Sequence, residues 1–174
     1  MRTRIVAGLI LAAFSATADA HFTLSYPPAR YSNPVEGMWY GVCGRDPETG
    51  RDHVTTLHSG SRIMLTLFQS IHHPGYFRVS FDSDGQDDFP PHPVVYGMVE
   101  TSPAILLNDI PPVDGTTPFS VEITLPDIEC GNCTLQVLFN LADKPPFGTF
   151  DDYHHQCADL VLVDDTIFAG NFES

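Results

Sequence analysis

Apolar and polar residues alternate along this chain in short runs, not in helical stripes. Phe77, Val79 and Phe81 alternate with Arg78 and Ser80; Val121, Ile123 and Leu125 alternate with Glu122 and Thr124. A period of two puts one set of side chains on each face of an extended strand. Such runs, bounded by Gly, Pro, Asn and Asp, predict strands over Arg62–Gln69, Tyr76–Asp82, Val94–Val99, Phe119–Leu125, Thr134–Phe139 and Ala158–Val163. No stretch of a dozen residues carries a helical stripe. Short strands separated by turn signals predict an all-β fold, an antiparallel β-sandwich. From His21 to about Thr56 neither period is sustained, and Pro, Gly and aromatic residues recur. That stretch reads as a long ordered N-terminal loop region tied down by Cys43.

The first twenty residues follow another pattern. Met1 to Arg4 is a short basic start, Ile5 to Ala16 is apolar, and Ala18-Asp19-Ala20 is an A-x-A cleavage site. The apolar run is too short to span a bilayer, and no later segment approaches eighteen apolar residues. The expected organisation is a signal peptide over 1–20 and one domain over 21–174, in a secreted or periplasmic protein. Cleavage after Ala20 would make His21 the first residue.

Composition narrows the partners. The 174 residues hold 8 Lys and Arg against 22 Asp and Glu. Losing Arg2, Arg4 and Asp19 with residues 1–20 leaves 6 basic and 21 acidic residues, a formal charge of −15. That field repels phosphate backbones and anionic lipid, so neither nucleic acid nor a membrane is expected as partner, and the protein is expected to act as a monomer. A hydrophobic content of 43% excludes disorder over most of the chain.

Four cysteines, Cys43, Cys130, Cys133 and Cys157, allow three connectivities in an oxidising compartment. The sequence after Cys130-Gly131-Asn132-Cys133 is β-prone, unlike a redox pair at a helix N-terminus, and a zinc site would need a second close pair. Two disulfides are expected: a tight Cys130–Cys133 bridge at a turn and a long Cys43–Cys157 bridge.

A free N-terminal histidine offers the α-amine and Nδ1, which close a chelate ring on a metal. A second imidazole would complete three nitrogens in a plane, an arrangement that suits Cu(II). Ile71-His72-His73-Pro74-Gly75 supplies one, in a turn just ahead of a strand. His53, His58 and His92 have no partner at ligand spacing. Asp82-Ser83-Asp84-Gly85-Gln86-Asp87-Asp88 lacks the Gly and Glu positions of a calcium loop and reads as a solvated acidic turn. Asn132-Cys133-Thr134 matches a glycosylation sequon, which a bridged Cys133 would compromise. No nucleophile motif or marked carboxylate pair is present.

Three ordered segments together resemble the lytic polysaccharide monooxygenases, which are histidine-brace copper enzymes. They are His21-Phe22-Thr23-Leu24-Ser25-Tyr26-Pro27-Pro28, His73-Pro74-Gly75-Tyr76-Phe77-Arg78-Val79, and Cys133-Thr134-Leu135-Gln136 with Tyr153-His154-His155-Gln156-Cys157-Ala158-Asp159-Leu160. The resemblance implies an immunoglobulin/fibronectin-like sandwich and one copper ion. His21 would bind it through its amine and Nδ1, and His73, in the H-x-G register, through Nε2. It also implies oxidative cleavage of glycosidic bonds in chitin, cellulose or a related β-glycan, with an external electron donor. Tyr26, Tyr31, Trp39 and Tyr40 would lie against the polysaccharide, and Gln136 or Gln156 would hydrogen-bond near the metal.

One position departs from the family. Where Tyr or Phe usually faces the copper axially, three residues before the late Cys, this chain has His154, with Tyr153 one residue earlier. A bulge at Gln156 would put Tyr153 in the axial place and is the expected arrangement; without it, His154 stands there as a third imidazole. The alternatives to an oxidase are a brace protein for copper capture or delivery, and a carbohydrate-binding module without redox function.

Overall fold

In chain order the strands are β1 (Phe22–Tyr26), β2 (Val54–His58), β3 (Arg62–Gln69), β4 (Gly75–Asp82), β5 (Ile105–Ile110), β6 (Phe119–Thr124), β7 (Cys130–Leu141) and β8 (Tyr153–Val163). The structure, a computed structural model, describes residues 21–45, 50–93, 95, 97, 100–113, 117–143 and 152–164. The expected signal peptide, the tail 167–174 and positions 94, 96, 98 and 99 of one expected strand lie outside the described residues.

Two sheets form, one in the order β1-β3-β6 and the other β2-β8-β7-β4-β5. The expected immunoglobulin/fibronectin-like sandwich is present, with one departure. β2 pairs with β8 in parallel, from Val54 opposite Asp159 to His58 opposite Val163, while all other pairs are antiparallel. A parallel neighbour needs a long crossover, and here nearly the whole domain serves as one.

The core lies between the sheets. Phe77 of β4 and Phe139 of β7 stack at 4.2 Å, and Phe22 of β1 meets Phe77 edge-on at 5.4 Å. Each such pair adds about 0.5–1.5 kcal/mol beyond its burial. The other face of β4 is buried too: Arg78 and Ser80, which alternation alone would turn to solvent, are 1% and 0% exposed. Arg78 donates to the carbonyls of Pro90 and Pro91 at 2.8 Å and pairs with Glu100, so backbone carbonyls and one carboxylate cover this face.

A second buried cation pins the N-terminal loop region. Arg30 grips Asp159 at 2.7 Å and Asp87 at 2.9 Å, and its backbone N–H donates to the Cys157 carbonyl. Burial opposes the guanidinium charge, but the hydrogen bonds to Asp87 and Asp159 outweigh it and hold Arg30 above its usual range. Burial likewise pushes Asp87 up, yet the Arg30 hydrogen bond and charge prevail and keep it below the usual carboxylate range. The acidic turn 82–88 is therefore an ion-paired anchor, not a merely solvated turn.

Both disulfides join the expected partners, and no cysteine is free. Cys43–Cys157 closes a separation of 114 residues, a constraint of about 4–5 kcal/mol in the chain-entropy model. The sequon is engaged structurally: Asn132 accepts from Arg51 and donates to the Asp84 carbonyl, with Cys133 bridged and Thr134 buried.

Candidate functional site

Strand ends bring His21 and His73 to one end of the sandwich. Phe22 pairs with Gln69, so His21 stands level with Ser70, whose N–H and hydroxyl both donate to the His21 carbonyl, at 3.0 and 3.1 Å. Ser70 opens the turn that carries His72 and His73 into β4. In that extended turn the two rings diverge: His72 is exposed and His73 is 9% exposed. His73 Nδ1 lies 2.8 Å from Asp143 Oδ2, while its Nε2 is buried with no hydrogen-bond partner.

Gln156 secures the strand behind His21. Its carbonyl oxygen accepts from Leu24 N–H at 2.7 Å, and its amide donates to the carbonyls of Phe22 at 2.6 Å and Pro34 at 3.0 Å. One side chain thus completes the free edge of β1. Gln136 does something else: it stands opposite Cys157 on the outer face of its sheet and donates to the Val42 carbonyl at 2.8 Å. Of the two glutamines, Gln156 is the one beside β1.

The expected bulge at Gln156 is absent. β7 and β8 run in unbroken register there, with Phe139 opposite His154 and Asn140 opposite Tyr153. A bulge would turn Gln156 away from β1 and forfeit its three hydrogen bonds. His154 therefore faces inward with Phe139 and Gln156, 6% exposed, its ring 6.4 Å from Trp39. Tyr153 is on the outer face, its hydroxyl donating to the Pro93 carbonyl at 2.5 Å and its ring stacked on His92 at 4.4 Å.

The four aromatic candidates separate. Trp39 contacts Tyr40 at 5.7 Å, and Tyr40 is 52% exposed, so this pair adjoins His154. Tyr26 is exposed at the other end of β1, about 16 Å along the strand from His21. Tyr31 is 4% exposed beneath the Arg45 guanidinium, which removes it from any contact surface. The Asp143 contact to His73 has no sequence signal, because it spans 70 positions and depends on strand register.

Among the described residues no three His, Cys, Asp or Glu side chains converge as a metal cluster. A histidine brace does not require one, since one of its three nitrogens is the α-amine. The bare, buried Nε2 of His73 fits a nitrogen-ligated metal.

His155 and His92 form a separate pair on the outer face, Nε2 to Nε2 at 2.7 Å, with His155 Nδ1 3.3 Å from the Met38 carbonyl. Burial, with the His92 charge next, pushes His155 down to about 3, and burial with Arg78 lowers His92. Both imidazoles ionise more readily in the unfolded chain, so their contribution to stability is complete above about 6.5 and declines as pH falls toward 3. Urea titrations of the metal-free protein should show unfolding free energy falling across that window. His155→Gln should flatten the fall; an unchanged slope would assign the acid sensitivity to other groups.

By sequence, no family model matches this chain, and no curated protein does. By structure, it has the lytic polysaccharide monooxygenase fold. It is similar to an AA15 lytic polysaccharide monooxygenase from Thermobia domestica in the Cu(I) state, at a TM-score of 0.54 and 18% identity, over 82% of this chain and 98% of that one. It is also similar to an AA10 lytic polysaccharide monooxygenase from Streptomyces lividans, at 0.50 and 11%, over 81% and 99%.

Proposed function

We propose that the processed chain is a secreted, copper-dependent enzyme that cleaves a polysaccharide oxidatively. The observation that carries this is His73: a buried, oriented imidazole with a bare Nε2, at the end of the sandwich that also holds His21. With the signal peptide removed after Ala20, the His21 amine and Nδ1 and the His73 Nε2 would hold one copper ion through three nitrogens. Bound there, copper would supply one-electron chemistry with dioxygen or hydrogen peroxide, and with dioxygen the net reaction would put one oxygen atom into a C–H bond at the glycosidic linkage and release the other as water, on two protons and two electrons from an external donor.

The chain's own residues prepare that end. Ser70 fixes the His21 carbonyl, and Gln156 clamps the edge of β1, so His21 meets the metal on a backbone already set. Trp39 and Tyr40 offer an aromatic face to neutral sugar rings, and the acidic surface does not repel an uncharged chitin or cellulose chain. The AA15 and AA10 neighbours are polysaccharide monooxygenases by name, and at their low identity they support the fold alone.

One observation favours a second reading, copper capture or delivery. His154 faces inward where the family usually has an aromatic ring, and a third imidazole, a fourth nitrogen near copper, would favour Cu(II) and occupy space that substrate needs. N-terminal sequencing and product mass spectrometry decide. The native protein should begin at His21 and, with copper and ascorbate, release oxidised oligosaccharides from chitin or cellulose. Residues ahead of His21 would remove the brace; tight copper binding without oxidised products would leave the second reading.

A further inference from the structure

We propose that Asp143 is a positioning residue for His73: it holds the proton on Nδ1 so that Nε2 presents its lone pair, and it adds negative charge behind the ring. This rests on the copper reading above for its consequence, though not for its geometry. The contact is built by the backbone. β4 and β7 pair from Asp82 opposite Thr134 to Gly75 opposite Leu141, and beyond that Ala142 N–H donates to the Pro74 carbonyl at 2.8 Å. One step further the same register brings Asp143 to His73, and Nδ1 and Oδ2 meet at 2.8 Å. Gly75 permits this closure, because a Cβ there would overlap the Asn140 carbonyl oxygen.

The chemistry follows from the donor inventory. A carboxylate only accepts, and a neutral imidazole carries one N–H and one lone pair. With the N–H on Nδ1, the lone pair falls on Nε2, the atom left buried and without a hydrogen-bond partner. A carboxylate behind a ligating imidazole fixes the ring and raises its basicity, and losing such a partner commonly costs 10–100-fold in metal affinity. The added negative charge favours Cu(II) over Cu(I).

Two measurements on the processed protein test this. In the metal-free state, the 15N shifts of His73 should report Nδ1–H in wild type and a shift toward Nε2–H in Asp143→Ala. An Nε2–H wild type overturns the proposal whether or not the protein binds copper. With copper, chelator competition should show Asp143→Ala weakened about 10–100-fold for Cu(II). Cu(I) binding should change less, raising the reduction potential by about 59 mV for each tenfold of difference. Asp143→Asn keeps an acceptor oxygen and lacks the charge, so it should restore the Nδ1–H tautomer and most of the affinity while leaving the potential raised. Wild-type affinity and potential in Asp143→Ala, or equal losses in the Ala and Asn variants, overturn the proposal. A wild-type protein with the Nδ1–H tautomer and no copper binding instead removes the copper reading and leaves the tautomer assignment standing.

Discussion

Arg30→Ala should unfold with a free energy about 3–5 kcal/mol below wild type, the cost of breaking a buried ion pair by removing one partner. Asp159 is 2% exposed and loses its bidentate guanidinium; Asp87 loses the cation that keeps its carboxyl low. Arg51, 3.2 Å from Asp159 and a third exposed, remains as a partial substitute. Arg30→Lys should fall between, since an ammonium keeps the charge without the fork that spans Asp159, Asp87 and Thr134. The Arg62–Glu122 pair on β3 and β6 is the control: its side chains are 72% and 57% exposed, and Arg62→Ala should change stability by less than about 1 kcal/mol. Urea unfolding of the three variants reads the ranking directly. Equal effects at Arg30 and Arg62 would mean that Arg51 or water takes over the buried carboxylates.

His73→Ala should weaken copper binding by more than about 100-fold, beyond the loss expected for a supporting residue, while His72→Ala should change it less than about tenfold. Of the two neighbours in this turn only His73 is buried, and its Nε2 has no hydrogen-bond partner. Competition against a chelator of known affinity measures both, with far-ultraviolet circular dichroism to verify the sheets. A larger loss from His72→Ala would put the ligand one residue earlier.

Where packing is local and two-faced, the sequence was a good guide. β3 has the bounds read for it, Arg62–Gln69, with Leu65 and Leu67 buried on one face and Arg62 and Met64 exposed on the other. Three strands were not legible as strands. β1 has only Phe22 and Leu24 to mark its inner face, and its free edge is completed by a glutamine 132 positions away. β2 takes its order from a parallel neighbour at the other end of the chain. β5 pairs irregularly with β4, and Asp109 has a φ of 57°. The site divides the same way. His21 and His73 stand in short motifs, so they could be named in advance. The inward turn of His154, the outward turn of Tyr153 and the approach of Asp143 are consequences of register, which a one-residue slip reverses.

The position of β8 has a consequence for assembly during synthesis. It sits inside the five-stranded sheet, between β2 and β7, yet follows every other described strand in sequence. A chain emerging from its N-terminus holds β2 without any partner in that sheet until residues 153–163 arrive. Until then Cys43 has no native thiol to meet and can be oxidised only by Cys130, Cys133 or an outside molecule. The unpaired edge of β7 and the mispaired thiol share that interval, which is when the molecule is open to aggregation and to exchange by a disulfide isomerase. Insertion of one late strand closes both together, and it carries in Gln156, the residue that then locks β1 at Phe22 and Leu24, just behind His21.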